Sequence, residues 1–307
     1  MTITRITSDA FERLSLRAKF LGVFEGDEWL EVRRAGIGGS EVATICGLNP
    51  WQSAYTLWAT KRGLIAPQTE SSALEWGKRL EPVVIEKFAD SHPELTVFTG
   101  VGTWSGVTDW QIVNVDAIFE DPLGELGIFE AKTALYADNW GQSGSGSAGV
   151  PAYYRTQVQW YLQALGLKRA IVGVFILGAR DYREYEIEAD EFEQDMNFKL
   201  VEEFKTFYLD AEQEPLFSEP MMSTLETVRE MHPLIEDTEV ELGALGNAYL
   251  HAVTAVELAN DVLNTLKAQV LDAMGNAKRG FIDNELAVVR QAKGKGLPYL
   301  VNKKKGN

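Results

Sequence analysis

Between Val113 and Lys132 the chain reads VNVDAIFEDPLGELGIFEAK, and no other stretch constrains the fold as tightly. Apolar Val113, Val115, Ala117 and Phe119 lead to a turn at Asp121-Pro122-Leu123-Gly124, and Ile128, Phe129 and Ala131 follow it. This is the pattern of two paired strands. Strands so apolar belong inside a protein, yet these carry Asp116, Glu130 and Lys132. Removing a charge from water costs several kcal/mol unless a partner or a metal compensates. In a strand, residues two apart share a face, so Glu130 and Lys132 project together and Ala131 points away. Asp116, on the adjoining strand, comes within reach of both. Read alone, the set is either a cross-strand ion pair or a hard-cation site with a lysine able to orient a water.

The flanking segments supply the rest of a layered fold. Leu74 to Asp90 predicts a helix with Leu74, Gly77, Leu80, Val84, Ile85 and Phe88 inward and Glu81 at the edge of that stripe, where it could add a ligand to the sheet's site. Residues 95–103, 108–119 and 126–133 predict a three-stranded meander. Pro151 to Leu165 predicts a helix with Gln157 and Tyr161 one turn apart on one face. A central strand (170–177) and an outer strand (182–187) follow. The expected class is α/β (α+β), a mixed sheet flanked by helices. Residues 139–147, NWGQSGSGS, are rich in Gly and Ser and predict a mobile loop, a lid or substrate guide.

Upstream, Gly36-Ile37-Gly38-Gly39-Ser40-Glu41 precedes an apolar helix. Ser40 is the expected N-cap, and the free N–H groups of such a turn favour an anion. Arg33, seven residues earlier, is placed to reach the same anion. Downstream, Glu212-Gln213-Glu214-Pro215 marks a domain edge. Residues 1–210 are therefore expected to form one domain, and 211–307 an appendage of a long helix, a β-hairpin at 281–301 and a basic tail. In that helix Leu242, Leu245, Tyr249, Ala252, Val256, Ala259, Leu263, Leu266, Val270 and Ala273 recur in alternating steps of three and four. This heptad seam predicts pairing with another helix, inside the chain or in another subunit.

Charge and cysteine content exclude several functions. Cys46 is the only cysteine among 307 residues, so one chain holds no disulfide, no Cys-type zinc site and no cysteine-ligated iron–sulfur cluster. His92, His232 and His251 are scattered and do not predict a histidine metal site. No apolar run is long enough to span a membrane, and the N-terminus lacks a signal segment, so a cytoplasmic protein is expected. The net charge of −16 argues against nucleic acid only until it is localised. Residues 181–241 hold 20 Asp/Glu against 4 Lys/Arg, and the remainder is neutral overall with a lysine-rich C-terminus. A local basic groove can still bind DNA.

Six segments taken together resemble the YqaJ-like viral recombinase family, the lambda-type phage exonucleases of the PD-(D/E)XK nuclease superfamily. They are Trp29 with Arg33, Gly38-Gly39-Ser40-Glu41, Trp76-Gly77-Lys78-x-Leu80-Glu81, Asp116, Glu130-Ala131-Lys132, and Tyr154-Arg155-Thr156-Gln157-Val158-Gln159. The resemblance covers residues 26 to about 178. It departs at Ala117, where the family usually has Gly, and at Val115, where a proline is expected. The resemblance implies a nuclease sheet on which Asp116 and Glu130 hold Mg²⁺ (Mn²⁺ substituting), with Glu81 supporting them. It implies that Lys132 positions the attacking water and that Gln157 orients that water or a phosphate. Arg33 and Ser40 would grip a phosphate, such as a terminal 5′-phosphate. The implied activity is exonucleolytic hydrolysis of duplex DNA ends, 5′ to 3′, leaving 5′-phosphate products, in phage-type recombination with a single-strand annealing protein and in a homo-oligomer. An endonuclease on the same fold and a non-catalytic DNA- or protein-binding scaffold are the alternatives.

Overall fold

The computed structural model describes residues 2–67, 71–217 and 222–303, in two compact units, Met1–Leu234 and Ile235–Asn307. In the first unit the elements run β1 (Thr2–Arg5), α1 (Ser8–Ser15), β2 (Lys19–Gly22), α2 (Gly26–Ala35), β3 (Ile37–Gly38), α3 (Gly39–Ile45), α4 (Ala54–Lys61) and α5 (Ser72–Ser91). Strands β4 (Thr96–Thr99), β5 (Thr103–Ser105), β6 (Gln111–Asn114), β7 (Ala117–Glu120) and β8 (Leu126–Ala134) follow. The unit then closes with α6 (Ala152–Leu165), β9 (Arg169–Ile176), β10 (Asp181–Glu188), α7 (Glu191–Phe204) and α8 (Met222–Met231). The α/β class expected from the sequence is the class observed.

The main sheet has the order β1-β4-β7-β8-β9-β10 and is mixed in sense. β7 and β8 are antiparallel, as the turn at 121–124 requires, whereas β8 and β9 are parallel and joined through α6. Strand alternation sorts the core into two layers. Ile118, Ile128, Val172 and Val174 belong with Trp160 and Leu162 of α6. Ala117, Phe119 and Phe129 belong with Val84, Ile85 and Phe88 of α5, and Phe88 stacks on Phe129 at 4.0 Å. Helices thus cover both faces of β8, and Glu130 points with Ile128 toward α6.

The meander expected over 95–133 is instead divided between two sheets. Residues 95–103 break at Gly100-Val101-Gly102, with both glycines at positive φ (67° and 75°). Residues 108–119 break at Val115-Asp116. β5 and β6 leave the main sheet and pair in a second one of order β2-β5-β6-β3, and β7 returns. Both halves of each run are apolar, so alternation alone does not show the change of sheet. Its consequence is positional: Asp116 lies at the point where the chain re-enters the main sheet, next to β8.

Two further expectations are corrected. Leu74, read as part of the inward stripe of α5, is exposed. The Gly/Ser segment 139–147 is pinned: Gly141 N–H donates to Gly149 O at 2.8 Å, Gly144 N–H donates to Glu184 O at 2.9 Å, and Tyr185 Oη donates to Gly141 O at 2.7 Å. Trp140 within it is buried and stacks on Tyr154. Residues 211–234, counted with the appendage in the sequence, include α8, whose Thr224 and Thr227 hydrogen-bond Ser53 and Thr56 of the α4 region.

The second unit consists of α9 (Gly243–Met274) and an antiparallel sheet of β11 (Arg279–Ile282), β12 (Glu285–Gln291) and β13 (Tyr299–Asn302). The expected hairpin is β12–β13, and β11 adds a third strand through a turn at Asp283-Asn284, both at positive φ. Lys304 and Lys305 of the basic tail lie outside the described residues.

Candidate active site

Asp116 stands at the strand break, where β7 can no longer pair with β8 beyond Ala117 and Phe129. Its Oδ2 takes over the ladder by accepting from Ala131 N–H at 2.8 Å. That bond ties the aspartate to the residue between Glu130 and Lys132. Glu130, 2% exposed, receives Lys132 Nζ at 2.6 Å and Gln157 Nε2 at 2.7 Å, both on Oε1. Gln157 reaches it from α6 and also donates to Tyr161 Oη at 3.1 Å. Lys132 Nζ lies 4.9 Å from the centre of the Tyr154 ring.

Glu130 Oε2 is buried without a hydrogen-bond partner. A carboxylate oxygen in that state is costly, and one oxygen taking two donors while the other has none makes the group one-sided. Burial and then the Asp116 charge push the Glu130 carboxyl up to about 8. The same two causes push Glu81, on α5, up to about 7. Burial also raises Asp116, against the pull of Lys132 and the Ala131 N–H. Burial alone would lower Lys132, but Glu130 and Asp116 overcome it and hold the ammonium charged. Three carboxyls, mutually repelling, therefore surround one buried ammonium, with Lys78 adding a partial offset at Glu81. Ionised together, the carboxyls would repel one another, and without a further cation that repulsion favours keeping protons on them.

Among the described residues no three His, Cys, Asp or Glu side chains converge as a ready-made metal cluster. The donor set nevertheless fits a hard divalent cation. It is all oxygen, its carboxyls repel one another when ionised, and Glu130 Oε2 is buried without a hydrogen-bond partner. Glu81, Asp116 and Glu130 are the residues that would hold the ion.

The second group of sequence candidates lies next to this one. Arg33 Nη2 is 3.5 Å from Ser40 Oγ and 3.1 Å from Glu41 Oε1. Ser40 is not the N-cap of α3: Gly38 holds that place, and the buried Glu41 side chain accepts from its N–H at 2.9 Å. Ser40 sits exposed in the first turn. Lys61 of α4, with its Nζ buried and lowered by desolvation, donates to Glu41 Oε2 at 2.8 Å and Gly36 O at 2.6 Å. Nothing in the sequence around Lys61 marks it for this role, whereas Glu41 stands inside the Gly-Gly-Ser-Glu motif.

Gly39 joins the two groups. A Cβ there would lie 2.5 Å from Tyr161 Cε1 and 3.1 Å from Gln157 Cγ. Only glycine lets α3 approach α6 so closely, and that approach carries Arg33 and Ser40 to the side of Gln157. Near this surface Trp104 and Trp140 are core, while half-buried Tyr153 packs on the exposed Trp51 at 5.0 Å.

Residues 28–168 match the family described as the YqaJ-like viral recombinase domain, which bears out the resemblance read from the six segments. The chain is 33% identical over 183 residues to the uncharacterized protein YqaJ of Bacillus subtilis (strain 168), covering 58% of this chain and 54% of that protein. It is 39% identical over 57 residues to protein D345L of African swine fever virus, covering 19% of this chain and 16% of that one. The chain thus spans about half or less of the length of these curated relatives. Among solved structures it is similar to the LHK-Exo alkaline exonuclease of Laribacter hongkongensis in complex with dAMP, with TM-score 0.47 and 17% identity. That match covers 61% of this chain and 94% of the exonuclease. A phage related exonuclease from Haemophilus somnus 129PT gives TM-score 0.44 and 12% identity over 58% and 96% of the two chains. No helix among the described residues is long and apolar enough to cross a membrane.

Proposed function

We propose that this chain, matched over residues 28–168 by the YqaJ-like viral recombinase domain, is a Mg²⁺-dependent deoxyribonuclease that degrades duplex DNA from its ends, 5′ to 3′. The observation that carries the reading is the Glu130 carboxylate, buried beside Asp116, with one oxygen held by Lys132 and Gln157 and the other without a donor. Glu81, Asp116 and Glu130 would hold the cation, which when bound would offset the phosphodiester charge and make water more acidic; Mn²⁺ would meet the same oxygen preference.

The protein's own groups account for the remaining requirements. Lys132 keeps its proton and is fixed in direction by Glu130, so it orients a water or a phosphate oxygen without itself titrating. Gln157, anchored on Glu130 and Tyr161, holds a fixed amide at the same place. Arg33, ion-paired with Glu41 and more exposed than Lys61, presents its guanidinium beside Ser40, and the two suit a terminal phosphate. Hydrolysis in this arrangement leaves a 5′-phosphate on the released nucleotide. The family match supports a role in recombination; duplex ends as substrate and a single-strand annealing protein as partner are part of the proposal and rest on the resemblance read from the six segments.

The test is digestion of linear duplex DNA labelled at the 5′ or the 3′ end, with closed circular DNA alongside. The proposal expects early release of the 5′ label and intact circles. Early release of the 3′ label reverses the polarity. Nicked circles support the endonuclease reading, which the same cluster would serve.

A further inference from the structure

Lys61, in the last turn of α4, has a side chain only 4% exposed. A buried ammonium is costly unless each of its N–H groups finds an acceptor. Here all three do: Lys61 Nζ donates to Glu41 Oε2 at 2.8 Å, to Gly36 O at 2.6 Å and to Arg33 O. Three acceptors around one nitrogen call for the fully protonated, charged form. Glu41 is used as completely. Its Oε2 also accepts from Gly38 N–H at 2.9 Å, and its Oε1 accepts from Arg33 Nη2 at 3.1 Å. Two of the three Lys61 bonds therefore lead to Arg33, one to its backbone and one, through Glu41, to its guanidinium.

We propose that Lys61 is a positioning residue for the phosphate grip: it offsets the charge of Glu41, so that Glu41 aims Arg33 toward Ser40 without cancelling it. The consequence is a preference for 5′-phosphorylated over 5′-hydroxyl DNA ends that depends on Lys61. This rests on the reading of Arg33 and Ser40 as the site of a terminal phosphate.

The charges and their burial carry the argument. Lys61 and Arg33 bring two positive charges and Glu41 one negative. The enclosed members, Lys61 at 4% and Glu41 at 8% exposure, offset each other. The charge left over belongs to Arg33, 38% exposed, whose Nη2 lies 3.5 Å from Ser40 Oγ. A guanidinium paired one to one with a carboxylate is a poor anion receptor, because a phosphate must displace the carboxylate or meet its repulsion. Removing Lys61 creates that pair. Glu41, deprived of its buried partner, then has only Arg33 to answer its charge, and an unpaired buried carboxylate is the costlier state. A lysine that merely fastened α4 to α2 would need the two carbonyl bonds alone. Its loss would weaken the fold without selecting between kinds of DNA end.

The experiment measures binding of short duplexes carrying a 5′-phosphate or a 5′-hydroxyl, by fluorescence anisotropy in chelator, so that affinity is read apart from turnover. The parent should bind phosphorylated ends about tenfold tighter or more. Lys61→Met should bring the two affinities to within about twofold of each other. Lys61→Gln, which keeps a donor for the carbonyls and removes the charge, should do the same and guards against a folding defect in the first variant. Adding Glu41→Gln to Lys61→Met leaves Arg33 uncompensated again and should restore a preference of about fivefold or more. A preference that survives both Lys61 variants, or that the double variant fails to recover, would overturn the role of Lys61 alone. A parent that binds both ends equally would overturn the Arg33–Ser40 phosphate reading, and this proposal with it.

Discussion

Lys132 Nζ lies 2.6 Å from Glu130 Oε1, and the other oxygen of that same buried carboxylate has no donor at all. A simple ion pair at a sheet edge would share its donors between both oxygens or expose one to water. This asymmetry leaves the lysine oriented and one oxygen available. Lys132→Ala should therefore lower DNA cleavage by about 10²-fold or more while the protein still binds duplex ends. Comparing cleavage rates with gel-shift affinity checks it, and full hydrolysis by the variant would remove Lys132 from the chemistry.

Glu81 is raised to about 7 by burial and by Asp116, so it destabilises the metal-free protein. Glu81→Gln removes that repulsion. In chelator the variant should melt ~2–4 °C higher than the parent, the shift expected for about 1 kcal/mol in a unit of this size. Its stabilisation by added Mg²⁺ should be smaller than the parent's. A lower melting point in chelator would mean that Glu81 supports the fold rather than straining it.

Gly39→Ala places a methyl 2.5 Å from the Tyr161 ring. The expected cost is ~1–3 kcal/mol of stability, with α3 displaced from α6. Because Gln157 and Tyr161 take the displacement, cleavage should fall further than stability does. Thermal melting and single-turnover rates on the same preparation separate the two effects.

His92 tests the remote end of α5. Its Nε2 is 2.7 Å from Glu184 Oε2 and its Nδ1 3.2 Å from Glu94 Oε1. Burial lowers its pKa, but the bond and charge of Glu184, then those of Glu94, outweigh burial and raise it. A raised folded pKa stabilises fully below the unfolded value of about 6.5, and the effect is lost as pH climbs through the folded value. His92→Asn should therefore be destabilising near pH 6 and close to neutral near pH 9, read by denaturant unfolding at both. An equal loss at the two pH values would assign His92 a packing role only.

Much of this was legible in the chain, and the exceptions have physical causes. Period-two alternation put Glu130 and Lys132 on one face, and one-turn spacing put Gln157 and Tyr161 together, because both patterns are local. The sheet change at Val115-Asp116 was hidden, since both β6 and β7 are apolar and only their partners differ. Glycine and serine at 139–147 suggested motion, but there Gly144 and Gly146 supply positive-φ turns and Ser143 and Gly144 hydrogen-bond Glu184 of β10. Lys61 was invisible because its role depends on α4 and α3 meeting. The long helix α9 was readable from the spacing of its seam.

The proposed function makes Asp116, Glu130 and Lys132 a cation-dependent centre for phosphodiester hydrolysis. The most direct measurement is cleavage of linear duplex DNA by the parent protein and by Asp116→Asn, each with Mg²⁺ and with chelator. Asn keeps one oxygen to accept from Ala131 N–H while removing the charge and the second carboxylate oxygen. Cleavage by the parent in Mg²⁺ alone, with the variant slower by about 10²-fold or more, is the expected result. Cleavage that persists in chelator, or that Asp116→Asn leaves at the parent rate, would contradict it.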